Sequence, residues 1–317
     1  MVNSDLLVTT SVHSQDGLER GWRSRLLRLT ARGLRVAPKG RHKVFHVVWR
    51  AVGGPGRYVG ELDGVPFVVD AYDKQGAEHM FLWGCYEPAV TLVYIALLTP
   101  DSVVVDIGAN KGYFSLLALN RIGKGGRVVS FEPLPRNKID LEDTRQLGGY
   151  VNWMIEPTAV GDESGSVRFA DFGISDGRSV FGRIEPTGTL TVRVDTVDKA
   201  IPRLGLASVD VLKMDIEGHE CKAVLGMRRH IAERRIRHVL CEAHSNRFSA
   251  SEFDHMAEQF SSAGYKAFLI DDSSADIRRC LQSMGRGGRP DVTDLLRPLD
   301  GNIPAGCFHL LWSAQAP

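Results

Sequence analysis

Residues Val103 to Leu119 read VVVDIGANKGYFSLLAL. Three β-branched residues run into an acid, a turn punctuated by Gly108 and Gly112 follows, and apolar residues then recur at helical spacing. β-branched residues suit a pleated surface and glycines open backbone conformations closed to other residues, so the stretch reads as strand, tight loop and helix. A buried strand that ends in a carboxylate needs something polar across from it. Ligands of open α/β sheets bind beyond the carboxyl ends of the strands. Asp106, Gly108, Asn110 and Gly112 are therefore expected at a binding crevice.

The same alternation continues downstream. GRVVSFEP, VNWMIEPTAV, VDVLKMDIEG, IRHVLCEAH, YKAFLID and CFHLLWSA read as strands. Helices are expected over residues 111–121, 136–147 and 220–234, and in SEFDHMAEQFSSAG up to Gly264. SVRFADF and TLTVRVDTV, set among Gly, Ser and Thr, read as an inserted antiparallel excursion, and SMGRGGRP (283–290) as a mobile loop. Short apolar strands alternating with amphipathic helices give an α/β fold, a mostly parallel sheet with helices on both faces.

Upstream, RYVGELDGVPFVVDAYD reads as a hairpin about Asp63-Gly64, GPG at 54–56 as a turn, and EPAVTLVYIALL as a helix with Glu87 and Pro88 in its first turn. Residues 1–80 are taken as an N-terminal extension and 81–317 as the main domain. In GWRSRLLRLTARGLRV, Trp22, Leu26, Leu27, Leu29, Leu34 and Val36 stand among arginines. That pattern makes a basic amphipathic helix, either packed on the domain or, through residues 20–43, in peripheral contact with an anionic membrane surface.

The chain has 317 residues, 43% hydrophobic and 24% charged, with a formal net charge of +1. These are the proportions of an ordinary globular protein, and the neutral balance argues against a nucleic-acid partner. Cys85, Cys221, Cys241, Cys280 and Cys307 are dispersed without CxxC spacing, so reduced thiols and no zinc site are expected. With no secretory leader and no apolar run of membrane-spanning length, the expected location is cytoplasmic.

The second strand ends at Glu132, twenty residues past Gly112, where an acid can accept hydrogen bonds from ribose hydroxyls. A dinucleotide site would read GxGxxG. Here Asn110 stands in place of the second glycine, and Asp106 precedes the turn. A carboxylate suits the cationic groups of S-adenosylmethionine better than a diphosphate. An NAD-dependent oxidoreductase is the alternative.

GCYEP at 84–88, VVDIGANKGYFSLLAL at 104–119, VVSFEPLPRN at 128–137, TAVGDESG at 158–165, VLKMDIEGHE at 211–220 and VLCEAH at 239–244 together resemble the FkbM family of S-adenosylmethionine-dependent methyltransferases. The resemblance covers roughly residues 80 to 270. It implies a class I, Rossmann-like fold: a seven-stranded, mostly parallel sheet whose last strand, CFHLLWS, is antiparallel. It also implies O-methylation of a hydroxyl on a sugar, glycolipid or polyketide-type product. By match to the class I pattern, Asp106, Gly108, Asn110 and Gly112 would line the methionine and ribose side of S-adenosylmethionine. Glu132 would hold the ribose, Asp162 would lie near the adenine, and Tyr86 and Glu87 would close over the methionine end.

An aliphatic hydroxyl needs a base within hydrogen-bond reach, worth about 10²- to 10⁴-fold in rate. Candidates are Asp215, Glu217, His219 and Glu220 in KMDIEGHE, and Glu242 and His244 in CEAH. Residues two apart on a strand share a face, which pairs Asp215 with Glu217 and Glu242 with His244. His244 leads as base, since imidazole suits proton removal at neutral pH. Asp215 also borders the cofactor. No metal ligand is assigned: the carboxylates would admit Mg²⁺, but no metal spacing supports it. Glu220 reads equally well as a helix-start acid, His219 as a solvated turn residue, Lys213 as pairing with an acid, and His230 and His238 as surface residues. A cofactor-binding scaffold without turnover is the non-enzymatic alternative. Acceptor choice is assigned to the N-terminal extension, the insertion from Phe169 to Val194 and the tail after Ser273.

Overall fold

The computed structural model describes residues 18–35, 41–52, 56–70, 80, 82–172, 182–286, 288–300 and 303–315. Residues 54–55, 71–73 and 173–181 of the expected turn, hairpin end and insertion lie outside these. A two-residue strand β1 (Leu18–Glu19), helices α1 (Trp22–Arg35) and α2 (Arg41–Val52), and a hairpin of β2 (Arg57–Leu62) and β3 (Val65–Asp70) come first. The sheet then begins with α3 (Pro88–Leu97), β4 (Val103–Ile107), α4 (Tyr113–Arg121), β5 (Arg127–Phe131), α5 (Pro135–Gly148) and β6 (Trp153–Glu156). An excursion follows: β7 (Ala159–Val160), β8 (Gly165–Asp171), β9 (Gly182–Ile184) and β10 (Leu190–Asp195). The remainder is α6 (Val197–Arg203), β11 (Val209–Met214), α7 (Glu220–Leu225), α8 (Arg228–Ala232), β12 (Ile236–His244), α9 (Ala250–Ser262), β13 (Lys266–Ile270), α10 (Ile277–Arg286), β14 (Leu296–Pro298) and β15 (Cys307–Ser313).

The central sheet runs β14-β13-β15-β12-β11-β4-β5-β6. From β12 to β6 the neighbours are parallel, and β15 lies antiparallel between β12 and β13. This is the class I methyltransferase arrangement with an eighth strand in place of the expected seven. The extra strand, β14, is three residues long and ends in Pro298. A proline cannot donate to a ladder, which confines such a strand to an edge. β4 is buried on both faces: Val104 joins the cluster that holds Leu92 and Leu117, and Val105 joins the one that holds Leu212 and Val239. The excursion forms its own sheet, ordered β7-β10-β8-β9.

The N-terminal elements share the core of the main domain. Leu27, Phe45, Tyr58 and Phe67 pack in one cluster with Leu92 and Phe114. Buried Arg57 pairs with Asp140 at 2.6 Å and Asp143 at 2.5 Å, and Lys111 reaches Asp140 at 2.6 Å. The lysine of the Gly108–Gly112 loop thus points into the hairpin contact, away from the crevice.

Several expectations are corrected. Cys85 and Cys280 are joined by a disulfide across 195 residues, against the reading of five reduced thiols. Folding brings the entry of α3 beside α10, a proximity that spacing along the chain cannot reveal. The helix expected over 220–234 breaks in two at Gly226, where a Cβ would overlap the Gly161 carbonyl. VNWMIEPTAV divides between two sheets at Pro157. Part of the expected loop 283–290 is helix to Arg286, with Met284 buried. His230 and His238 are buried as well: His230 Nδ1 faces Asp198, and His238 Nδ1 lies 2.9 Å from Ser313 Oγ.

Candidate active site

The loop after β4 is tied to the end of β5. Gly108 and Ala109 donate their N–H groups to the Phe131 carbonyl at 2.9 and 3.1 Å. Asn110 donates its N–H to Glu132 Oε2 at 2.8 Å, and Leu134 donates to Glu132 Oε1 at 2.9 Å. Gly108 has φ +79° and lies so close to β11 that a Cβ would overlap the Asp215 carbonyl. Asn110, at φ 50°, takes the left-handed conformation that asparagine tolerates better than most residues. A dinucleotide pattern wants glycine there, and asparagine supplies the same backbone.

A pocket open to solvent lies over this loop. Of the expected site residues, Gly108, Asn110, Glu132, Asp215 and Glu217 line it, together with half-buried His219. Burial disfavours charge on His219 and, with Lys222, pushes it down to about 4. Asp106 is not on the wall. It lies buried beneath the turn, where Oδ2 accepts from Ser115 Oγ at 2.6 Å; Ser115 meets Ser130, which accepts from Trp153 Nε1 at 2.7 Å. Gly112 faces Leu141 and Trp153, and Asp162 is exposed outside the lining.

Glu87, Glu242 and His244 gather at the neighbouring mouth. His244 Nε2 stands 3.3 Å from Glu242 Oε1 and 3.9 Å from Glu217 Oε2. Lys213 Nζ bonds Asp215 Oδ2 at 3.0 Å, the acid pairing expected of it. Burial raises the Asp215 carboxyl well above the ordinary carboxylate range; Lys213 opposes this, while Glu242 and Glu87 add to it. Burial also raises Glu217, with His244 opposing. Glu220 is fully buried at the start of α7, and its Oε1 accepts from Ile216 N at 3.2 Å and Gly218 N at 3.0 Å. It braces the loop that presents Asp215 and Glu217.

Sequence reasoning missed three residues. Asn137 is buried, lines the pocket and donates to Asn110 Oδ1 at 3.2 Å. His309 and Cys307 come from β15: the register sets His309 opposite Glu242 and Cys307 opposite His244. Burial works against charge on His309, but Glu242 and Glu87 outweigh it and raise the imidazole to about 10. Two polar residues alternating in an otherwise apolar strand were the available signal.

The pocket fits S-adenosylmethionine. A buried carboxylate, Glu132, stands at the end of the second strand of the motif, and Asn137 Oδ1 is buried there without a hydrogen-bond partner. Gly108 and Asn110 bring the loop onto the pocket wall beside it.

The model of the methyltransferase FkbM domain matches residues 106–267, half of the chain. Over 219 residues the chain is 27% identical to the AMB antimetabolite synthetase AmbE of Pseudomonas aeruginosa, which covers 56% of this chain but only 10% of that protein. Among solved structures, Aeropyrum pernix fibrillarin with natively bound S-adenosyl-L-methionine aligns at a TM-score of 0.38 and 12% identity, over 72% of this chain and 76% of that one. A precorrin-6y C5,15-methyltransferase from Geobacter metallireducens aligns at 0.36 and 12%, over 71% and 87%. The chain belongs to the FkbM methyltransferase family.

Proposed function

We propose that this methyltransferase acts on a hydroxyl of a small-molecule acceptor, such as a sugar, a glycolipid or a polyketide-type product, with His244 as general base. The observation that carries this reading is the setting of His244. Its Nε2 faces Glu242 and Glu217, while Nδ1 is buried with no hydrogen-bond partner. Carboxylates on one ring nitrogen favour the tautomer with the proton there and leave the other nitrogen basic. The same logic operates where an acid orients a catalytic histidine.

When bound, the cofactor supplies a methyl carbon already activated by its sulfonium. The chain's residues then bind, align and deprotonate. Glu132 receives the ribose hydroxyls, and Gly108 and Asn110 bring the backbone against the cofactor. Glu87, Asp106 and Lys213 set the charge around its methionine end, and Gly112 closes the loop onto α5. Asp162 stands at the adenine end beside His219, whose charge it favours. Asp215 and Glu217 border the cofactor and the acceptor. Alignment of acceptor oxygen and methyl carbon can supply about 7–11 kcal/mol of the barrier. The acids Glu87, Asp215, Glu217 and Glu242 make the mouth inhospitable to phosphate-rich acceptors and favour neutral or cationic ones. The AmbE name, an antimetabolite synthetase, is in keeping with a small-molecule acceptor. The test is formation of S-adenosylhomocysteine over a panel of hydroxylated and amine acceptors. Turnover confined to amines would overturn the hydroxyl assignment.

A second reading concerns α1. Trp22, Leu26 and Leu29 are exposed on one face of the helix, flanked by exposed Arg23, Arg25 and Arg32. Apolar rings and aliphatics between basic flanks suit the interface of an anionic membrane. No described helix is long and apolar enough to cross one. Co-sedimentation with anionic but not neutral vesicles, lost in Trp22→Ser, is the expected result.

A further inference from the structure

Where β12 and β15 pair, one donor atom from each of Glu242, Cys307 and His309 lies within 4.8 Å of the others. His309 is 8% exposed, and its Nε2 is buried without a hydrogen-bond partner. That nitrogen is aimed between two carboxylates, with Glu87 Oε2 at 3.4 Å and Glu242 Oε2 at 3.7 Å. A charge-assisted hydrogen bond would close to about 2.7–2.9 Å. Ligands of a tetrahedral ion with bonds of about 2.0–2.2 Å instead stand about 3.3–3.6 Å apart. The His309–Glu87 separation matches such an edge and the His309–Glu242 separation is slightly longer. Cys307 Sγ stands closer, donating to Glu242 Oε1 at 2.9 Å, a hydrogen bond that loss of the thiol proton on metal binding would replace. Glu87 Oε2 is itself buried without a hydrogen-bond partner. On the far side of the ring, His309 Nδ1 faces Asp272 Oδ2 at 3.9 Å. A carboxylate behind a histidine is the usual device that orients a metal-bound imidazole.

We propose that Glu242, Cys307 and His309 form a divalent transition-metal site, with Glu87 at its margin. A sulfur, a nitrogen and a carboxylate oxygen suit Zn²⁺ or Co²⁺; Mg²⁺ prefers oxygen alone. The role of the site rests on the reading that this mouth receives the acceptor. The acceptor hydroxyl takes the open coordination position and gives its proton to His244. Its oxygen then bonds the methyl carbon as the carbon–sulfur bond breaks, and that electron pair stays on sulfur.

The test uses full-length protein treated with chelator and titrated with Co²⁺. One equivalent per chain is expected, with a thiolate-to-cobalt charge-transfer absorption that Zn²⁺ abolishes. Cys307→Ser should remove the absorption; Cys307 is exposed, so this variant keeps its fold. His309→Ala should weaken binding at least about tenfold, and Asp272→Asn about 10- to 100-fold. No stoichiometric binding to the wild-type chain, or equal binding by the Cys307 and His309 variants, would overturn the site and leave His309 as a protonated clamp between Glu87 and Glu242. Methyl transfer is read separately: turnover by metal-free protein that binds no cobalt sinks the site alone. Cobalt binding without turnover on hydroxyl acceptors leaves the site standing and counts against the acceptor reading.

Discussion

Replacing Glu132 by alanine removes two acceptors, one that holds the loop after β4 and one that holds the turn after β5. The carboxylate is 4% exposed and takes the Asn110 and Leu134 N–H groups at 2.8 and 2.9 Å. Hydrogen bonds to a charged group contribute about 1.5–3 kcal/mol each. Burial raises this carboxyl above its ordinary range, so the folded chain already bears a cost for holding the charge. That cost disappears with the side chain, and the net loss of stability should be about 1–3 kcal/mol, a few degrees in Tm. The cofactor has no such offset. If the two ribose hydroxyls donate to Glu132, the variant loses about 3–6 kcal/mol of gross interaction, and Kd for S-adenosylmethionine should rise at least about 100-fold. Glu132→Gln should fall between, since the amide keeps one carbonyl acceptor but turns an NH₂ toward a backbone N–H. The assay is isothermal titration on variants whose melting shows intact fold. A folded Glu132→Ala chain with Kd within about threefold of wild type would refute the ribose assignment.

Loss of the base in His244→Ala should lower kcat by about 10²- to 10⁴-fold and leave cofactor affinity unchanged; full activity would shift the role to Glu217 or Glu242. Arg57→Met leaves the buried Asp143 without its partner and should cost about 3–5 kcal/mol by denaturant unfolding, and a loss under about 1 would mean the hairpin contact is incidental. His238 provides a pH test remote from the site: burial and Arg237 depress its folded value to about 4, below the unfolded value of about 6.5. Its contribution is complete above about 6.5 and is lost as pH falls toward 4, by up to about 1.4 kcal/mol per pH unit. His238→Gln should therefore flatten the acid side of the stability profile, and parallel Tm curves for variant and wild type would contradict this.

The crevice was legible because its backbone demands are written in residue types. A glycine at 108, a carboxylate closing the next strand and DIEG after β11 each state a local requirement. The β15 contribution was not legible in that way. His309 reaches Glu242 only through an antiparallel register between strands far apart in the chain. No periodicity in CFHLLWS specifies its partner. Spacing likewise could not pair Cys85 with Cys280, nor bury His230, which depends on the approach of Asp198 from α6. Asp106 was expected on the crevice wall, but the structure buries it beneath the turn on a chain of Ser115, Ser130 and Trp153, a tertiary arrangement that the local sequence does not show.

Three of the five described non-glycine residues with positive φ border the site: Glu87 at 44°, Asn110 at 50° and Glu217 at 58°. Such backbones cost about 1–3 kcal/mol each and persist only where surroundings enforce them. Each has a visible brace. Glu132 accepts the Asn110 N–H, and Glu220 accepts from Ile216 and Gly218 on either side of Glu217. For Glu87, Thr91 donates its N–H to the Glu87 carbonyl at 2.8 Å and its hydroxyl to the Tyr86 carbonyl at 2.6 Å. Asn110 and Glu217 line the crevice and Glu87 stands at the neighbouring mouth, while the bracing residues Glu132, Glu220 and Thr91 are buried. Around the site, strain thus falls on three loops, each held by its own brace. A fold selected for stability alone would have placed glycine at all three positions. Side chains at Glu87, Asn110 and Glu217 are explained if each is needed for what it presents to cofactor or acceptor.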